Sequence, residues 1–148
     1  MLKACNYPEK NIYRILDANI NRAKEGLRVC EEITRFLLNN RPYTLEFKKI
    51  RHKIDEITRT IFIKTRLLKE RESLLDVGKN IYVNELKREN FKDIFFANIQ
   101  RVKESIRVLE EFSKLISKDS AIGFKKIRYR VYEIEKKTAE RLLSLRGR

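Results

Sequence analysis

Glycine and proline are nearly absent from this chain, four and two residues in 148. Breakers this sparse argue against a turn-rich β architecture and favour long helices. The two cysteines, Cys5 and Cys30, have neither a CxxC spacing nor a His cluster beside them. Neither a disulfide nor a zinc site is therefore expected, and Cys30, at an apolar helix position, reads as a small core residue. No apolar run approaches the roughly 18 residues that cross a bilayer. The opening Met1-Leu2-Lys3-Ala4-Cys5-Asn6-Tyr7-Pro8 also lacks the apolar segment of a signal peptide. A cytoplasmic protein with no membrane partner is expected.

Lysine and arginine are in excess, 35 against 21 acids, for a net charge of +14. Such a balance calls for an anionic partner or a tolerant surface; nucleic acid, a membrane surface and a phosphorylated small molecule all qualify. The cations are interleaved with acids along the whole chain, with no basic arm and no aromatic platform. That spread fits a solvated helical surface at least as well as a nucleic-acid footprint. With 42% hydrophobic residues, the 148 positions fit one domain, residues 1–148, around one core.

The most informative feature is a repeat. Ala18-Asn19-Ile20-Asn21-Arg22-Ala23-Lys24-Glu25-Gly26-Leu27-Arg28-Val29-Cys30-Glu31-Glu32 returns as Ala97 to Glu111, with ten of fifteen positions identical at an offset of 79. Phe47-Lys48-Lys49-Ile50-Arg51 returns as Phe124-Lys125-Lys126-Ile127-Arg128. Solenoids usually stack three or more short units. Two long units instead predict a duplicated helical hairpin closed about a pseudo-two-fold axis, with halves at about 8–70 and 91–145 joined by a loop at 71–90. A ligand site on that axis would draw on both copies.

Apolar spacing predicts helices from about Pro8 to Leu38, Tyr43 to Glu70, Phe91 to Ser117 and Ala121 to Leu145, with a short helical piece from Asn84. Asn39-Asn40-Arg41-Pro42 and Ser117-Lys118-Asp119-Ser120 provide the breaks. Short connections make neighbours antiparallel, so the expected fold is an all-α, up-down four-helix bundle.

On a helical wheel, Asn19, Arg22 and Gly26 fall inside the apolar arc of the first helix, and Lys24, Arg28, Glu31 and Arg35 on the opposite arc. Asn98, Arg101 and Ser105 repeat the pattern, and Arg51 and Arg128 flank the Phe/Ile stripes of the second and fourth helices. Buried charge needs a partner. Arg22, Arg51, Arg101 and Arg128 converging on the interior would form an anion site, since guanidinium forks suit phosphate. Gly26 and Ser105 would leave room beside it. The structural alternative pairs Arg22 with Glu25 and Arg101 with Glu104, cross-links helices through Asn19 and Asn98, and makes Gly26 a helix crossing. Residue by residue the structural account is favoured; for the duplicated set, a site is.

Asp76-Val77-Gly78-Lys79 is the one Gly-centred loop between the halves, and it is not a G-x-x-x-x-G-K-[ST] phosphate loop. Asp76 beside Gly78 suits a magnesium ligand or a proton acceptor, or else an ordinary turn. His52, the one histidine, lies toward the polar side and reads as a surface residue first and a ligand contact second.

Tyr13-Arg14-Ile15-Leu16-Asp17-Ala18-Asn19 through Val29 resembles the opening motif of the noncanonical hydroxymethylpyrimidine phosphate kinase domain that often lies N-terminal to thiamine phosphate synthase. The likeness continues through Arg51-His52, Asp76-Val77-Gly78, Ala97 to Glu111, and Phe124 to Tyr132. It implies transfer of the ATP γ-phosphate to hydroxymethylpyrimidine phosphate, in a fold unrelated to ribokinase-like enzymes. Leu75 and Lys79 stand where the family loop has Gly and Thr. With the chain ending at Arg148, coupling to the synthase is expected in trans, alongside a possible homo-oligomer. In this reading Asp76 holds Mg2+, with Glu25 and Glu104 as alternatives, Arg22 and Arg101 serve the phosphates, and Asn19 and Asn98 bond the pyrimidine. Two other functions compete: a non-catalytic helical regulator of the synthase, and a basic helical nucleic-acid-binding protein.

Overall fold

The computed structural model describes residues 9–61, 68–80 and 86–145. Pro8, Cys5, the middle of the stretch from Ile61 to Glu70 and the helical piece expected from Asn84 lie outside them. Four long helices follow the four amphipathic runs: α1 (Glu9–Glu32), α2 (Arg41–Ile61), α3 (Phe91–Ser113) and α4 (Lys118–Ser144). Between the hairpins, Ser73–Leu75 makes one 3-10 turn. No helix among the described residues is long and apolar enough to cross a membrane.

The corners are tighter than the breaks read from sequence. The first helix does not stay α-helical to Leu38; Ile33–Leu37 widen into a π turn, with Leu38 N–H donating to the Ile33 carbonyl at 3.1 Å and Asn40 N–H to that of Thr34 at 2.9 Å. Asn39 takes a left-handed φ of 48°. Asn40 then caps α2, its Oδ1 accepting from Tyr43 N–H at 3.0 Å. Pro42 falls inside the first turn of α2, where a missing N–H loses nothing. Likewise Ser117 caps α4 through Ser120 N–H, so α4 starts at Lys118, ahead of Ala121.

The π turn answers a mismatch between the copies. The motifs of α1 and α3 are offset by 79 residues and those of α2 and α4 by 77. The first hairpin thus has two residues more between its motifs, and the widened turn and the Asn39 corner accommodate them.

Contacts run round a ring, α1 to α2 to α4 to α3 and back to α1, with α1 against α3 the most extensive. Gly26 of α1 faces Asn98 and Val102 of α3, a Cβ there lying 2.6 Å from Val102 Cγ2 and 3.1 Å from the Asn98 carbonyl oxygen. The core obeys the repeat. Leu16, Ala23, Leu27, Phe47, Ile50 and Ile54 are buried, and so are their counterparts Phe95, Val102, Ile106, Phe124, Ile127 and Val131. The architecture is the expected all-helical up-down bundle of two related hairpins.

Candidate functional site

The four arginines do not converge on the interior. Arg22 and Arg101 are exposed. The interior they were expected to line is filled by Ala23, Val102 and the close passage at Gly26, which leaves no volume for charge. Nor does Arg22 pair with Glu25 or Arg101 with Glu104; Glu104 instead accepts from Gln100 at 3.1 Å. Glu104 lies on a shallow depression with Lys103, Arg107 and Tyr132.

Arg51 and Arg128 are partly buried and engaged. Arg51 Nη2 lies 3.1 Å from Glu31 Oε2, and Arg128 Nη2 lies 3.2 Å from Glu110 Oε2. Glu31, expected on the polar arc, is buried at 6% exposure, and its counterpart Glu110 at 3%. Arg28 and Arg107 flank these acids one turn earlier. The same two-helix ion pair therefore closes both hairpins, which explains why Arg and Glu persist in both copies. Hydrogen bonds from Arg128 to Tyr132 and then Glu110 hold its guanidinium firmly protonated.

Asn19 and Asn98 do not bridge helices. Each donates to its own helix, Asn19 to the Ile15 carbonyl and Asn98 to that of Ile94, both at 2.8 Å. Ser105 donates to the Arg101 carbonyl at 2.7 Å, and Gly26 is the helix crossing itself. His52 is exposed on α2. Gly78 is exposed in the interhairpin segment, its N–H donating to Asp76 Oδ1 at 2.8 Å.

Four of the expected residues do meet. Asn19, Arg22 and Glu25 of α1 and Asp76 of the segment between hairpins line one open cavity of about 850 Å³. Its other polar walls include Arg14, Asp17, Arg71 and Glu72. Among the described residues this cavity is lined by α1 and the segment at 68–80, so these draw on one copy of the repeat. The segment is fastened by a fork: Arg71 Nε donates to Asp17 Oδ2 at 2.8 Å and Nη2 to Oδ1 at 2.9 Å. The bond to Asp17 raises the Arg71 pKa above its usual value. Asn21 supports Asp17 from one turn on, donating to its backbone carbonyl at 3.0 Å. A looser pair, Arg14 to Glu72 at 3.8 Å, lies beside it.

Asp17 and Arg71 escaped the sequence reading. Asp17 carried a signal, an acid among apolar neighbours Tyr13, Leu16 and Ile20 that the structure buries at 7% exposure. Arg71 carried none, being one cation among many in an irregular stretch.

Among the described residues no three His, Cys, Asp or Glu side chains gather as a self-sufficient metal site would require. Nucleotide-bound magnesium needs less, one or two carboxylates together with substrate phosphates. Asp76 fits that demand: it is half-buried on the cavity wall, and one oxygen is engaged by Gly78 N–H. Glu25 offers a second carboxylate in the same cavity.

The chain is 41% identical over 125 residues to a thiamine-phosphate synthase of Nostoc punctiforme, covering 84% of this chain and 34% of that one. It is 42% identical over 127 residues to a thiamine-phosphate synthase of Synechocystis, covering 84% and 35%. A thiamine-phosphate synthase of Rhodopirellula baltica is 34% identical over 139 residues, covering 90% and 37%. The chain thus spans about a third of the length of the relatives it matches. No solved structure matches it. Residues 14–137, nearly all that the four helices contain, match the ThiD2 family, and the chain belongs to that family.

Proposed function

We propose that this protein acts in thiamine biosynthesis as a kinase, moving the γ-phosphoryl group of ATP onto hydroxymethylpyrimidine phosphate to give the diphosphate and ADP. The observation that carries the reading is the α1 cavity, where Asn19, Arg22, Glu25 and Asp76 gather with Arg14 and Arg71. Relatives named thiamine-phosphate synthase support the pathway.

The chemistry suits these residues. Phosphoryl transfer depends mainly on positioning and charge neutralisation. The attacking group here is an oxygen of the substrate's own phosphate, which with a second pKa near 6 is already anionic at neutral pH. No strong general base is then needed, and the placement of His52 outside the cavity is no obstacle. Arg14, Arg22 and Arg71 offer cations for the phosphates. Asp76, with Glu25, would hold magnesium, whose contribution is to neutralise charge shared between the phosphates.

The test is a coupled assay with ATP, magnesium and hydroxymethylpyrimidine phosphate, adding thiamine phosphate synthase and thiazole phosphate to report the diphosphate. Turnover should fall by about 100-fold or more in Asp76→Asn and Arg22→Ala, the scale of losing one aligned electrostatic contact. A second reading is a regulator acting on the synthase in trans. It is favoured by the exposure of Leu75 and Val77, at 73% and 96%, around Asp76. Substrate binding without turnover would select it; neither binding nor turnover would sink both.

A further inference from the structure

Resting on the kinase reading, we propose that Arg71 is the residue that binds the phosphate of the incoming pyrimidine phosphate, and that Asp17 is the positioning residue that aims it. A guanidinium has five N–H donors arranged as two forks. The side fork, Nε and Nη2, is engaged by the two oxygens of Asp17 at 2.8 and 2.9 Å. The end fork, Nη1 with the second N–H of Nη2, has no protein partner among the described residues, and Arg71 lines the cavity. Its side chain is 43% exposed while that of Asp17 is 9% exposed. A cation half in solvent is thus clamped by a carboxylate that is not.

The clamp has a physical purpose. An arginine on an irregular segment would otherwise lose rotamer freedom on binding a ligand. Asp17 belongs to α1 and is steadied by Asn21, so the orientation is set by a rigid helix before any ligand arrives. Phosphate matches the fork that remains, because two parallel N–H donors suit two phosphate oxygens. Arg22 on the same wall supplies a second cation with no carboxylate ion pair among the described residues, whereas Arg14 is near Glu72. The second copy cannot reproduce the arrangement. Asp17 is replaced there by Phe96 and Arg14 by Asp93.

Isothermal titration with hydroxymethylpyrimidine phosphate and with its unphosphorylated alcohol separates the phosphate contact from the rest. Wild-type protein should prefer the phosphate form. Arg71→Ala should weaken that form by about 100-fold, in line with loss of a charge-assisted bidentate contact, and leave the alcohol unchanged. Asp17→Asn should weaken the phosphate form by a smaller factor, again sparing the alcohol, which a merely structural role would not do. If Arg71→Ala unfolds because Asp17 is left unpaired, the double variant Asp17→Asn/Arg71→Ala removes the buried charge and still lacks the cation. Unaltered phosphate affinity in that variant would overturn the proposal. If wild-type protein binds neither compound, the substrate reading falls instead; titration with inorganic pyrophosphate then decides Arg71 alone. Dependence on Arg71 would sustain it, and no binding or no dependence would end it.

Discussion

Two glycines separate close approach from spare room. At Gly26 a Cβ would strike Val102 Cγ2 at 2.6 Å and the backbone oxygen of Asn98 at 3.1 Å, and a backbone atom cannot turn aside. At Gly123 it would meet the tip of Ile57 at 2.9 Å, a side-chain end that can rotate. Alanine adds about 1 kcal/mol of helix propensity at either position, while overpacking a fixed contact costs about 1–3 kcal/mol. Gly26→Ala should therefore lower stability by about 0–2 kcal/mol, and Gly123→Ala should leave it equal or slightly raised. Chemical denaturation midpoints with unchanged slopes would check the contrast. The sequence marked Gly26 as a position needing a reason, since glycine in a helix interior is unfavourable. It offered two reasons, a ligand or a crossing helix, and the atoms that decide between them belong to α3, about 75 residues away in the chain.

Helix by helix, periodicity revealed which faces are buried but not where long polar side chains end. Arg22 and Glu31 show why. A wheel places Cα atoms; Arg22 reaches out to water from the edge of the apolar arc, and Glu31 reaches inward from the polar one to meet Arg51. The interhelical pairs Glu31–Arg51 and Glu110–Arg128 bury both acids beneath their arginines. Removing one partner of such a pair leaves a poorly solvated charge. Glu110→Gln should destabilise by about 1–3 kcal/mol, and Glu110→Leu with Arg128→Met should recover most of that. Thermal and urea unfolding of the single and double variants measures it; a double variant no better than the single would mean the pair itself, not the orphaned arginine, carries the stability. The helix ends were less legible than the faces, because the π turn at Ile33–Leu37 arises from two surplus residues and not from any residue that breaks a helix.

For the molecule as a whole, duplication governs the core and the closing ion pairs, whereas the cavity departs from it. The positions that pack are alike in both halves. The positions that line the cavity diverge, with Asp17 against Phe96 and Arg14 against Asp93, although Asn19, Arg22 and Glu25 recur as Asn98, Arg101 and Glu104. The arginines expected to converge on the interior do not gather there: Ala23 and Val102 are fully buried, and Gly26 packs against Val102 and the Asn98 backbone. The fork between Asp17 and Arg71 also fixes a count. A molecule with two matching halves invites two ligands, yet only one half carries a carboxylate to hold the segment that completes the wall. Calorimetric titration with hydroxymethylpyrimidine phosphate should saturate at one equivalent per chain; two equivalents would mean that the Phe96 face had retained a pocket of its own. The stoichiometry of this pseudo-symmetric protein would then be set by a single aspartate that its twin helix lacks.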